Sequence, residues 1–174
     1  LPGLADESVD LIFTSPPYAL HFKKAYGNVD QNEYVDWFLG FTSEFRRVLK
    51  PSGSMVINIG GSWRPGHPVR SLCHFELLIR LVREHGLHLA QEFFWHNPAK
   101  LPAPAEWVTV RRIRVKDSVE ALWWLSKSTQ PKADNRKILT DYSEDMKRLL
   151  KRGYRPKERP SGHRITHKFT EQAG

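Results

Sequence analysis

Apolar residues fall into short continuous runs separated by stretches of helical period. Residues 9–14, Val-Asp-Leu-Ile-Phe-Thr, are an apolar, β-branched run that stops at Ser-Pro-Pro, which predicts a buried strand and then a loop. Residues 32–49 put Val35, Phe38, Leu39, Thr42, Phe45 and Leu49 at helical spacing, with Asn32 as the expected cap and Lys50-Pro51-Ser52-Gly53 as the stop. Residues 54–59 read as a second strand closed by Gly60-Gly61. Residues 70–85 read as a second helix, with Leu72, Phe75, Leu78, Ile79 and Val82 inward and Gly86 at its end. Strands are expected over 87–96 and 119–126, and a last helix over 143–151.

This alternation of strands and helices, with continuous apolar strands, predicts an α/β fold: a mostly parallel sheet with helices on both faces. Working loops in such sheets lie at the carboxyl ends of strands. Two loops qualify, residues 15–18 and residues 60–63. Trp63 then either lines a pocket or packs at the surface. Cys73 sits among Leu72, His74 and Phe75 and is expected in the core. Of Trp123 and Trp124, one ring is expected in the core and the other over a helix or an interface. Residues 98–104 are a stiff, Pro-rich connector too short to join domains.

The chain has 174 residues, 40% of them hydrophobic and 26% charged, the composition of one folded domain. It has no apolar run long enough for a membrane span and no secretory leader pattern, and its single cysteine excludes an internal disulfide framework. A reducing cytoplasm is the expected compartment. The chain starts at Leu1 and enters a strand pattern almost at once, so a piece of a longer protein is expected. The eight histidines lack clustering with Cys or acids, and no metal site is expected.

Charge is unevenly placed. Residues 1–110 hold 10 basic and 11 acidic residues, whereas residues 111–174 hold 17 basic and 8 acidic. Concentration of positive charge in one segment points to a polyanion. The densest part, residues 147–168, carries nine Lys or Arg against Glu158 alone, with Tyr154 and Ile165 among them. It reads as a docking surface or as a solvated face. Residues 1–128 and residues 129–174 are therefore expected to form a main domain and a basic extension.

The loop Thr14-Ser15-Pro16-Pro17-Tyr18 carries the clearest chemistry. Two successive prolines fix φ and remove both N–H donors, leaving carbonyls with no internal use. A hydroxyl on one side and an aromatic ring on the other suit a flat group bearing NH₂. Ser-Pro-Pro-Tyr after an apolar strand resembles the catalytic loop of S-adenosylmethionine-dependent amino-methyltransferases. The serine form, preceded by Thr14, is similar to that of DNA cytosine-N4 methyltransferases of restriction–modification systems. The resemblance extends through Ser8-Val9-Asp10-Leu11-Ile12-Phe13, Glu44-Phe45-Arg46-Arg47-Val48-Leu49-Lys50-Pro51-Ser52-Gly53, Asn58-Ile59-Gly60, Trp95-His96-Asn97-Pro98 and Arg159-Pro160-Ser161-Gly162-His163.

That resemblance implies a partial Rossmann-like methyltransferase sheet, in the permuted order with the catalytic half first. It implies S-adenosyl-L-methionine as cofactor, double-stranded DNA as partner, and a cognate restriction endonuclease as a genetic partner. Ser15, Pro16, Pro17 and Tyr18 are the expected catalytic residues, with Thr14, Ser15 and Pro16 beside the cofactor. Trp63, Arg152, Arg155, Arg159, Ser161, His163, Arg164 and Lys168 are the expected DNA contacts. The aromatic-x-Gly-x-Gly turn with which the family binds its cofactor has no match here, so the chain is expected to hold the cofactor weakly or not at all. Adenine-N6 methylation and a catalytically silent DNA-binding fragment remain alternatives.

Overall fold

The computed structural model describes residues 1–19, 25, 27–153 and 160–162. The chain divides into two compact units, Leu1–Lys132 and Ala133–Gly174. In the first unit, strands β1 (Val9–Thr14), β2 (Leu49–Ile59), β3 (His88–His96) and β4 (Val119–Ser126) form one sheet in the order β1-β2-β4-β3. β1 pairs with β2 in parallel, and β4 is antiparallel to both β2 and β3. Three strands thus run one way and β4 runs against them. The sheet is mixed where a mostly parallel one was expected, because β4 inserts between β2 and β3.

Side chains alternate across this sheet. Met55, Ile57 and Ile59 of β2 and Trp123 and Leu125 of β4 form the core face. Helices α1 (Tyr34–Leu39), α2 (Thr42–Val48) and α3 (Cys73–Arg83) supply its other half: Tyr34, Val35, Phe38, Phe45, Leu77 and Leu81. The expectation of helices on both faces is corrected for this unit, where these three helices share one face among the described residues. The opposite face carries Leu11 and Phe13 of β1, 55% and 63% exposed, and Phe93 and Trp95 of β3. β1 is an edge strand whose apolar side chains stand open to solvent, so it is not the buried strand expected over 9–14: no second strand covers that side among the described residues. β3, the other edge, is exposed along its whole length and not a buried strand.

The expected helix over 32–49 is two. Phe41 N–H donates to Phe38 O, three residues back, and Gly40, a poor helix former, stands at the break. The offset lets Phe41 pack edge-on to Trp37 and places Phe45 against Phe38. Asn32 does not cap α1; its N–H and side-chain amide both donate to Asp30 Oδ1. Val48 ends α2, and β2 starts at once with Leu49. Its pairing with β1 jumps from Val9↔Leu49 to Leu11↔Ser54, so Lys50-Pro51-Ser52-Gly53 is a bulge in which a side chain at Gly53 would crowd the Lys50 and Val9 carbonyls.

α3 is shorter than expected and turned. Cys73, His74, Leu77 and Leu81 are buried, Leu78 and Val82 pack partly, and Leu72, Phe75 and Ile79 face solvent. Apolar residues occur all round this helix, so periodicity leaves its phase open and the core decides. Its expected first residues are drawn instead into a hairpin over 62–71: Ser71 N–H donates to Ser62 O, Arg64 N–H to Val69 O, and Gly66 turns the tip with φ +73°.

The second unit contains a 3₁₀ turn (Asn135–Ile138) and α4 (Glu144–Arg152), whose first turn is capped by Ser143 Oγ accepting from Met146 N–H. No described helix is long and apolar enough to cross a membrane.

Candidate functional site at the carboxyl end of the sheet

Because β1 and β2 are parallel, with Thr14 opposite Ile57, their following loops emerge side by side. Residues 15–18 and 60–63 meet there. The Tyr18 ring lies across Gly60: a Cβ at Gly60 would sit 2.8 Å from Tyr18 Cε2. Glycine is thus required for the ring to lie where it does. Tyr18 Oη is 2.6 Å from Glu120 Oε2 and 2.9 Å from Asn58 Oδ1, with the carboxylate the closer partner for the phenol hydrogen. Lys100 Nζ donates to the other oxygen of Glu120 at 3.2 Å. Burial, then the Glu120 carboxylate, push the Tyr18 hydroxyl above the ordinary phenol range, against a smaller opposite pull from Ser15. The group stays a neutral phenol.

Tyr18 lines two hollows. One, of about 350 Å³, is lined by Ser15, Pro16, Pro17 and Tyr18. The other, of about 340 Å³, is lined by Tyr18, Gly60, Trp63, Lys100, Pro104 and Asp117 among others. Ser15 is exposed at the mouth of the first, Pro16 is buried, and Thr14 is half-buried at the end of β1. Trp63 is pinned under the Arg70 guanidinium, 5.2 Å from its ring centre, and Arg70 is fixed by Asp117 at 2.6 Å.

Thr14, Ser15, Pro16, Pro17, Tyr18 and Trp63 therefore come together. Arg152 ends α4 in the second unit, to which the exposed Ser161 also belongs. Arg155, Arg159, His163, Arg164 and Lys168 lie outside the described residues. Asn58, Lys100, Glu120, Arg70 and Asp117 were given no role from sequence. Glu120 left one signal: a carboxylate inside the apolar run 119–126.

For a methyl-donor cofactor, the fit is to one wall. Ser15 and Pro16 offer a hydroxyl and a proline-bounded backbone at an open hollow, and Thr14 precedes them at the end of β1, beside its exposed apolar edge.

A mixed α/β sheet with a proline-locked loop at its carboxyl end and an anchored aromatic ring defines a Rossmann-like methyltransferase fold. The chain belongs to the DNA methylase family, whose profile matches residues 9–172. It is 50% identical over 177 residues to the Type II methyltransferase M.PvuII of Proteus hauseri, an alignment covering 100% of this chain and 53% of that protein. The solved structure of the PvuII DNA methyltransferase (cytosine-N4-specific) is similar with a TM-score of 0.71 and 51% identity, over 79% of this chain and 49% of that one. A protein from Thermus thermophilus, solved in complex with S-adenosyl-L-methionine, shares the fold with a TM-score of 0.54 at 21% identity, over 85% of this chain and 56% of that one. The chain thus spans about half the length of the M.PvuII relative it matches.

Proposed function

We propose that the first unit is the catalytic half of a site-specific DNA methyltransferase that moves a methyl group from S-adenosyl-L-methionine to the exocyclic N4 of a cytosine flipped out of duplex DNA. A restriction–modification setting in the cytoplasm, with a cognate endonuclease as genetic partner, goes with this reading. The observation that carries it is the Tyr18 ring, fixed across Gly60 and lining two hollows, with Ser15 at the mouth of one.

The exocyclic amine of cytosine is a weak nucleophile, because its lone pair is delocalised into the ring. Ser15 Oγ and the Pro16 carbonyl accept its two hydrogens, which turns the lone pair out of the ring plane. Pro17, with its ring-fixed φ, holds the backbone that carries this carbonyl rigid. Tyr18 stacks on the base and, as a neutral phenol tied to Glu120, holds its plane. When bound, S-adenosyl-L-methionine supplies an activated methyl group, and Thr14, Ser15 and Pro16 form the near wall of its site. The remaining work is alignment and stabilisation of charge on the amine. We assign the second unit, with Arg152, Arg155, Arg159, Ser161, His163, Arg164 and Lys168, to the DNA-facing side.

The test is Ser15→Ala in the full-length protein, with nucleosides from methylated DNA analysed by mass. Loss of N4-methylcytosine by orders of magnitude, with DNA affinity kept, is expected. Unchanged turnover removes Ser15 from the chemistry, and N6-methyladenine in its place moves the target to adenine.

A further inference from the structure

Of the fourteen described Lys and Arg side chains of the first unit, seven sit in ion pairs, and of the other seven all but Arg46 and Arg83 gather in one place. At the amino ends of β1 and β2, Lys50 meets Asp10 at 2.6 Å, Arg47 meets Asp6 and Glu44, and Lys127 meets Glu7. On α3, Arg80 is held by Asp36 and Glu84. The carboxyl end of the sheet differs. Arg64 stands on the hairpin over 62–71, and Arg111, Arg112, Arg114 and Lys116 stand on the segment leading into β4. None of these five has a carboxylate partner among the described residues.

What they do contact is neutral. Arg114 Nε donates to Pro68 O at 3.0 Å, tying the segment to the hairpin, and Lys116 Nζ donates to Pro98 O. The Arg111 guanidinium lies over Trp107 at 5.3 Å. These contacts aim the charges without cancelling them. Arg112 is exposed, has no side-chain partner among the described residues, and is held at φ +55°, a left-handed backbone uncommon outside glycine. Asp117, the acid next to Lys116 in the chain, is already taken by Arg70, and both line the hollow beside Tyr18. Like charges repel, so a cluster held without counter-charge suits a partner that brings many negative charges in a row.

We propose that Arg64, Arg111, Arg112, Arg114 and Lys116 form a rim that grips the sugar–phosphate backbone of duplex DNA next to the base taken up at Tyr18. The inference rests on the methyltransferase reading of that site and adds the surface that positions the duplex over it. Contacts of this kind fix register and strength without reading sequence. The rim lies in the first unit, apart from the basic extension to which the sequence assigns DNA contact.

The experiment is equilibrium binding of a short duplex to the full-length protein over a salt series. The proteins compared are wild type, the triple variant Arg64→Ala/Arg112→Ala/Lys116→Ala, and Arg80→Ala as a control in a neutralised pair. Each lost phosphate contact is expected to reduce the slope of log K against log salt by about 0.9. Duplexes with and without the recognition sequence should be affected alike, and Arg80→Ala should leave the slope in place. Arg112→Ala alone, which removes no structural contact, serves where the triple variant fails to fold and should still reduce the slope. An unchanged slope, an equal effect of Arg80→Ala, equal displacement by polyglutamate and by DNA, or no duplex binding at low salt each overturns the rim. Ser15→Ala separates the two readings: lost methylation beside an unchanged slope sinks the rim alone, whereas retained methylation sinks the site.

Discussion

The Tyr18 hydroxyl lies 2.6 Å from a carboxylate oxygen of Glu120, a residue 102 positions away in the chain. Glu120 is buried, and its second oxygen accepts from Lys100. A buried carboxylate is kept by its hydrogen bonds, and a hydrogen bond to a charged group contributes about 1.5–3 kcal/mol. Tyr18→Phe and Glu120→Gln should therefore be strongly non-additive. Urea unfolding of the two single variants and the double variant should give a coupling of about 1.5 kcal/mol, the lower end of that range, because Tyr18 is only half-buried. Additive effects would show that the contact contributes nothing to the fold. Glu120→Ala should cost more than Glu120→Gln, because it leaves the phenol with Asn58 Oδ1 alone and the Lys100 ammonium without its carboxylate.

Gly60 gives a sharper separation of stability from function. A methyl group there would meet the Tyr18 ring at 2.8 Å, and the ring can yield only by leaving its place over the glycine. The ring is half-buried, so its displacement costs the fold no more than its hydrogen bonds to Glu120 and Asn58. Displacement of a positioning group by about 1 Å can lower turnover by roughly 10²-fold. Gly60→Ala should thus lower kcat/KM for DNA by roughly one to two orders of magnitude, with a small shift in thermal midpoint. Wild-type kinetics in Gly60→Ala would show that the ring position does not matter.

What the sequence revealed and what it hid follow one physical line. Local signals were readable. The run 9–14 ending in Ser-Pro-Pro specifies strand then loop, and the loop names its own chemistry because prolines and a hydroxyl act within four residues. The phase of α3 was not readable, since Leu72, Phe75 and Ile79 are as apolar as the residues that the core takes. The hairpin over 62–71 was hidden because its first residues look like a strand-end turn and its last like a helix start. Its pairing becomes definite only when Arg70 finds Asp117, 47 residues on. Glu120 and Lys100 were hidden for the same reason: each gains meaning from a partner that no local pattern names. Asn58 stood in a quoted motif, yet its bond to Tyr18 depends on the parallel pairing of β1 with β2.

Stacking at Tyr18 is separable from its hydrogen bond. Removing the ring with Tyr18→Ala should weaken binding of a duplex carrying a flipped or mismatched target base by about 1–3 kcal/mol, the usual worth of a base–aromatic stack. Tyr18→Phe keeps the ring and should retain most of that binding. A fluorescent base analogue at the target position would report both. Equal losses in the two variants would assign the effect to the hydroxyl and remove stacking from the account.

Stability should fall on both sides of neutrality, for reasons traceable to three residues. Burial lowers the pKa of His74 from its ordinary 6.5, with the Arg70 charge adding to the effect and Asp117 opposing it. The imidazole is stacked on Trp123, and its buried Nδ1 has no partner among the described residues. A depressed pKa means that the unfolded chain binds more protons below pH 6.5, so the folded state loses stability as pH falls through that value. At the alkaline end, burial raises both Tyr18 and Tyr34 above the ordinary phenol value of 10.0. There the folded state binds more protons, the unfolded tyrosines ionise first, and stability declines as pH rises past 10.0. Denaturant midpoints across pH should show a plateau between these limits. His74→Phe should flatten the acid limb and Tyr18→Phe should reduce the alkaline one, while a phenolate absorbance titration should show both tyrosines ionising only as the protein unfolds. An acid limb that survives His74→Phe unchanged would assign it to other groups.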